Sequence, residues 1–554
     1  MSNDADGAFA GLANAFLDDR AERHPDLATE LGDHRFDGRL PDLSAAALAD
    51  ERRALDGWAA RLSALDGTLP AEDQADAAIL ADYVALRIFE IDELREHTWN
   101  PLGANPGRAI YRLLGQDFAP LPDRLAGVAG RLGEVPAMLA AARAQLEAMP
   151  KVHIETAVGQ FSGTIKLITG TIDAALEALP APAAPSCAAL IGSVRPAALT
   201  ALAEHRDWLS AQLSRADGFI SPRIGAERYS RKLSLTLTPR PGSGDADSDA
   251  ILARALSDLD GITEEITELA GQLGGGVREV LNRLAADAPD DRTILGFCRD
   301  AFADQTAFVR DARLVTVYDD PVEVIEMPEI DRGVSVAYCD SPGALETAPL
   351  PTYIGVSPAP ADWPRQRVTS FYREYNRHMT QNLMVHEAMP GHALQLQHSS
   401  RFTGSSTDVR KALPSYAFIE GWAVYAEELM AGHGYPGDGD PRTVRMQQLK
   451  MQLRSTINAI LDAGVHARGM TEAEAMALMT ERGYQEEGEA AGKWRRAQLT
   501  SAQLSTYYVG YTEVADLSRA LKAARPEATD QQRHDMMLAH GSPPARLLRH
   551  LVLG

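Results

Sequence analysis

The sequence of 554 residues predicts a mainly α-helical fold in two lobes with one small β-sheet. Three observations carry this. Apolar residues recur at helical spacing over most of the chain, short β-branched and aromatic runs are confined to residues 313–356, and the strongest loop signal stands near the middle.

From Ala8 to about Leu179 the chain is rich in Ala and Leu, and stretches such as Ala46–Leu65 and Pro136–Met149 read as stacked helices. The segment PAPAAPS, Pro180–Ser186, interrupts the pattern as a surface connection between helices. The run TPRPGSGDADSD, Thr238–Asp249, combines Pro, Gly, Ser and Asp and is expected to separate an N-terminal helical lobe, 1–240, from a catalytic lobe, 250–554. Helical spacing resumes over Ile251–Ala286. The runs Arg313–Tyr318, Gly333–Cys339 and Pro351–Val356 then predict three short strands. Beyond Pro364 the chain is helical to its end, and no repeat of solenoid period is visible, so the lobes are expected to form one structural unit.

Composition narrows the function. A formal net charge of -23 and a pI near 5.1 repel phosphate backbones and anionic headgroups, so neither nucleic acid nor a membrane is expected as a partner. Cys187, Cys298 and Cys339 lie far apart with no CxxC pair, so neither a disulfide framework nor a thiolate zinc site is indicated. The first residues carry acids and lack a basic start followed by an apolar run, and no uncharged stretch approaches the roughly 20 residues of a membrane span. A cytoplasmic location is the expectation.

The chemistry concentrates in HEAMPGH, within a helical stretch. Two histidines four apart on one helix face, with a glutamate after the first, are a common zinc pattern. Here His386 and His392 are six apart, which leaves them roughly 120° out of line on a straight helix. Pro390 lacks the N–H that would bond the His386 carbonyl, and Gly391 tolerates unusual dihedrals, so the helix is expected to break there and return His392 towards His386. Catalytic zinc usually takes three protein ligands. Glu420, opening EGWAVYAEELM, is the expected third. It shares a helical stripe with Val424 and Glu427, Glu427 can hold a ligating histidine from behind, and Trp422 and Tyr425 are expected to wall the site.

These motifs resemble a bacterial family catalogued as a domain of unknown function, DUF885, whose hallmark is HExxPGH followed by EGWA. The likeness extends to HPDLATELGDHRFDGRLPD (His24–Asp42), DAGVHARGMTEAEA (Asp462–Ala475), STYYVG (Ser505–Gly510) and HDMMLAHGSPP (His534–Pro544). That family is in turn similar to the gluzincin peptidases, such as thimet-type oligopeptidases, angiotensin-converting enzymes and Taq-type carboxypeptidases. The resemblance implies a zincin-like helical fold with a deep central cleft between lobes and one Zn2+ per chain on His386, His392 and Glu420. It also implies strands that pair with an extended peptide, with Tyr353 near substrate.

Glu387 is then the expected general base, taking a proton from water and passing it to the leaving amine. An oxyanion needs a further donor, for which Tyr507 and His466 are the candidates. Tyr507 matches the family's Tyr-x-x-Gly position, although Tyr508 and Tyr511 lie close by, and His466 is equally read as a cap or an orienting group. Two departures stand out. Ser501-Ala502-Gln503 replaces a usual Pro-Gly-Gln, and Asn458 stands where an arginine is common, which argues against a strict carboxypeptidase. The leading expectation is a zinc metallopeptidase for short peptides. The alternatives are a metal-dependent hydrolase of a small non-peptide amide and an inactive binding protein on the same scaffold.

Overall fold

Local signals set the helix ends where the apolar stripes begin. In the computed structural model, which describes residues 2–65, 69–215, 218–237, 247–327, 336–360, 363–437 and 439–554, Asn376 caps the helix Arg377–Glu387 by accepting from the Met379 amide at 3.2 Å. Ser415 does the same for Tyr416–Gly432 through the Phe418 amide at 3.3 Å. Thr471 with Glu474, and Thr529 with Gln532, close reciprocal capping boxes.

The chain divides into two compact units. The first comprises Met1–Pro222 with Pro342–Leu350 and Ser406–Ala412. Its long helices Leu121–Gln145, Lys151–Glu177 and Ala184–Leu213 bury Val128, Leu132, Phe161, Ile168, Leu202 and Leu209 in one core. The first and third of these are long and apolar enough to cross a membrane by length and composition alone. Here each contributes side chains to the core, as the apolar helices of a packed bundle do. The two late segments of the chain are tied in by polar contacts: Glu346 bonds His34 at 2.8 Å, and the buried Arg410 guanidinium pairs with Asp76 and Glu72, each at 2.6 Å. A cation so enclosed is tolerated because its donors are matched.

The second unit comprises Arg223–Ser341, Pro351–Ser405 and Leu413–Gly554. The division therefore falls at 222/223 and not at the loop signal of 238–249, most of which, 238–246, lies outside the described residues. The reason is the helix Ala226–Leu237, which buries Tyr229, Leu233 and Leu237 in the same core as Leu259 and Leu453.

A three-stranded sheet belongs to this unit: β1 is Val322–Glu326, β2 Ala337–Asp340 and β3 Thr352–Val356, in the order β1-β3-β2. β3 is parallel to β1 and antiparallel to β2. Two of the three expected runs became strands, although 333–335 of the second lies outside the described residues. The run 313–318 did not. Leu314 and Val315 are buried in the core, the Leu314 and Thr316 carbonyls accept from His534 and His398 at 2.8 Å, and the Thr316 amide donates to Asp535 at 2.9 Å. Side chains have taken the backbone groups that a ladder would use. The neighbouring VEVIE supplies β1 instead.

Val324, Ile354 and Val356 of the sheet share a core with Met384, Val385 and Ala388 of the histidine motif, and with Phe418, Trp422 and Ala426 of the helix that carries Glu420. That helix, Tyr416–Gly432, meets Ser505–Ala524 through paired glycines. A Cβ on Gly421 would overlap the Gly510 backbone, and one on Gly510 would overlap the Ala417 carbonyl.

Candidate metal centre

The helix break expected at Pro390-Gly391 is present. Arg377–Glu387 ends at Glu387, a cis Met389–Pro390 peptide follows, and a second helix, His392–Ser400, starts directly at the second histidine. Across the turn the Gly391 amide donates to the Val385 carbonyl at 3.0 Å. Gly391 combines an ordinary φ of −74° with an unusual ψ of −129°, and it also needs space: a Cβ there would fall on the carbonyl oxygens of His386 and Val385. The Trp422 indole donates to the Pro390 carbonyl at 2.8 Å and holds the turn from within the core. Trp422 is fully buried, and the Tyr425 hydroxyl is engaged with Ser518 and His534, so these aromatic residues support the motif and do not wall an open site.

This geometry brings the two histidine rings together, with centroids 4.7 Å apart and planes at 84°. Glu420 Oε2 lies 3.5 Å from His386 Nε2 and 3.6 Å from His392 Nε2. Among the described residues these three side chains form the one cluster of histidine, cysteine or carboxylate groups able to share an ion, their ligand atoms lying within 4.8 Å of one another. Glu427, two turns after Glu420, is the group behind. Its Oε1 accepts from His386 Nδ1 at 2.8 Å while its Oε2 accepts from Asn382 at 2.6 Å. The hydrogen bond at Nδ1 fixes the tautomer and turns Nε2 towards Glu420.

Electrostatics follow from the burial of like and unlike charges. Burial opposes the charged form of His386, but Glu420 and Glu427 outweigh it and hold the imidazole well above its ordinary pKa. Burial likewise opposes ionisation of Glu420, yet the two imidazoles keep its carboxyl well below the usual range. For Glu387 the balance is reversed: burial pushes its carboxyl up, and the histidines only partly counter it. Glu387 is 9 % exposed and accepts no hydrogen bond from any described residue. Cys339 of β2 packs against the core that holds Met384, Val385 and Ala388, which places that strand beside the motif.

The remaining expected residues fall in three different settings. Tyr507 is half-buried, its hydroxyl accepts from Arg496 at 3.0 Å, and it lies one turn before Gly510, which packs against the helix carrying Glu420. His466 is corrected to a structural role. Its Nε2 donates to the carbonyls of Ala497 (3.0 Å) and Thr500 (2.8 Å), its ring stacks on Tyr229, and its side chain is 1 % exposed. Buried beside it, Asp462 accepts from the amides of Ala502 and Ser505 at 3.2 and 3.0 Å, so the pair organises the loop before Tyr507. Tyr353 lies on β3, paired on one side with Glu323 and on the other with Asp340. As the central strand, β3 has its backbone groups taken by its two neighbours.

The free edge belongs to β2. The Ser357 amide donates to the Val336 carbonyl at 2.8 Å, which puts 336, 338 and 340 in the bonded pairs with β3 and turns the backbone groups of Ala337 and Cys339 outward. No described strand pairs with that side. Alternation in the sequence did not reveal it, because which strand takes the centre depends on long-range order.

Comparison with known proteins gives a family and a fold. Residues 25–552 match the family described as "Bacterial protein of unknown function (DUF885)". No curated protein matches the chain. Two solved structures superpose over nearly the whole length. One, described as "a putative lipoprotein of unknown function" from Shewanella oneidensis, is 28% identical with a TM-score of 0.82, covering 99% of this chain and 100% of its own. The other, a "putative lipoprotein" from Colwellia psychrerythraea, is 18% identical with a TM-score of 0.81, covering 99% and 98%. The first of these, described as a lipoprotein, overturns the cytoplasmic expectation. That placement rested on the acids among the first residues and on the lack of an uncharged apolar stretch long enough to span a bilayer, and neither encodes an address.

Proposed function

The chain belongs to the bacterial family DUF885, and from that premise we propose that it is a zinc-dependent hydrolase, similar in its chemistry to gluzincins, that cleaves short peptides. The observation that carries the reading is the convergence of His386, His392 and Glu420, with Glu427 orienting His386 and Glu387 left free beside them. Glu420 Oε2 is buried without a hydrogen-bond partner among the described residues, and so is His392 Nδ1. The 3.5 and 3.6 Å between Glu420 Oε2 and the two Nε2 atoms are long for hydrogen bonds. They suit donors that share a cation, since two ligands of one tetrahedral zinc at about 2.0–2.1 Å lie roughly 3.3–3.4 Å apart. An imidazole, imidazole, carboxylate set is chemistry that zinc accepts.

When bound, zinc supplies Lewis acidity and makes a water acidic enough to ionise near neutral pH. The protein supplies the rest. Glu387 takes the proton of the attacking water and returns it to the leaving amine, and its raised pKa suits the second half of that task. Tyr507 is the remaining candidate donor to the oxyanion. An extended substrate lies along β2, using the backbone groups of Ala337 and Cys339.

The test is metal content followed by turnover. Full-length protein purified without chelator and supplemented with zinc is expected to hold about one equivalent, and removing the metal should lower Tm. A panel of short peptides and N-acyl amides separates the substrate classes. Failure to retain zinc overturns the metal reading, and zinc retained with no peptide cleaved overturns the peptidase. Glu427→Gln keeps the shape of the group behind His386 and removes its charge. Zinc affinity should fall about 10–100-fold, read by competition with a chelating dye, with circular dichroism unchanged.

A further inference from the structure

Lys493 is 6 % exposed and makes no hydrogen bond or ion pair with any described residue. The acids around it are already engaged. Glu489, one turn earlier on the helix Glu487–Leu499, accepts from the Arg454 guanidinium and from the Tyr375 hydroxyl. Glu374 is paired with Lys450 at 2.9 Å. Arg496, one turn later, donates to Gln503 at 2.9 Å and Tyr507 at 3.0 Å. Burial, and then the repulsion of Arg454, outweigh the attraction of Glu489 and hold the Lys493 ammonium well below its ordinary pKa. Lys493 is thus the cation left over, in a chain whose net charge is -23.

A buried charge without a partner is costly and is expected where a ligand completes it. Two contacts relate this place to the candidate metal centre. Tyr507, bonded to Arg496, lies one turn from Gly510, which is pressed against Gly421, the residue after Glu420. Tyr375, bonded to Arg454, packs with Met379 and with Val336 just before β2, the strand whose Cys339 packs against the core of the histidine motif. A chain extended along β2 away from Glu387 therefore runs towards Arg454 and Lys493.

We propose that Lys493, flanked by Arg454 and Arg496, forms an anion subsite that receives the terminal carboxylate of a short peptide. Its role for a substrate rests on the hydrolase reading above, but binding does not.

The experiment measures binding of N-acetyl-Ala-Ala, its C-terminal amide and inorganic phosphate to the metal-free full chain by calorimetry. The acid should bind at least about tenfold more tightly than the amide, the usual worth of one charge-assisted hydrogen bond. Lys493→Met should abolish that preference and, with no ligand present, raise Tm, because an unpaired buried ammonium has been exchanged for an apolar group. Equal binding of acid and amide, absence of acid binding, or a preference that survives Lys493→Met overturns the proposal. A lower Tm for Lys493→Met also overturns it, since the lysine would then belong to the fold's own ion pairs. Phosphate binding as tightly as the acid overturns the carboxylate assignment. Since no metal is used, these results stand whether or not the hydrolase reading survives.

Discussion

Glu387→Gln is expected to reduce peptide hydrolysis by roughly 10²–10⁴-fold, the range that a positioned general base contributes, while zinc stays at its wild-type level. The side chain follows directly after a ligand, at the last residue of Arg377–Glu387, so its position is fixed by the same helix end that fixes His386. Unlike Glu420 and Glu427, it is not committed: neither imidazole bonds it, and no described residue donates to it. Glutamine preserves volume and polarity but cannot take a proton, so the loss should appear in kcat, with KM and Tm little changed. Zinc analysis of the same preparation gives the result its meaning. Unchanged turnover with full zinc removes Glu387 as the base, and zinc lost in parallel with activity makes it a ligand.

The legibility of this centre follows from how local each determinant is. His386, Glu387, Pro390, Gly391 and His392 lie within seven residues, so spacing and the chemistry of proline suffice to place a break between two converging histidines. Glu420 and Glu427 were readable because one helix presents residues seven apart on one face, and each does reach a histidine. What sequence missed depends on contacts between distant segments. The helix-end reasoning for Gly391 named its dihedrals, which are indeed unusual at ψ −129°, but could not show that the fold also needs its lack of a side chain. His466 looked like a candidate donor because a histidine near an aspartate is ambiguous until its carbonyl partners, 31 and 34 residues away, are known. The open edge of β2 needed the strand order. Lys493 carried no signal at all, since lysine in a helix is ordinarily solvated and only the fold enclosed this one.

Gly391→Ala should empty the centre without altering a single ligand. The residue joins the helix that ends at Glu387 to the helix that starts at His392, and the two ligand histidines are therefore related through its backbone. The obstacle is the carbonyl oxygens of His386 and Val385, which occupy the place of the added Cβ. Those atoms cannot swing aside as a side chain can, because Val385 is in the core and its carbonyl accepts from the Gly391 amide itself. The turn must open, and His392 must move relative to His386. Overpacking of this kind costs about 1–3 kcal/mol of stability, and displaced ligands should weaken zinc by on the order of 100-fold. Gly432→Ala, at the end of the helix that carries Glu420, is the control: nothing lies within 4 Å of its Cβ, so Tm and zinc affinity should hold. Zinc titration and thermal melts of the two variants decide the matter. If Gly391→Ala binds zinc as wild type does, the turn has room for a methyl group, and convergence of the histidines does not depend on the glycine.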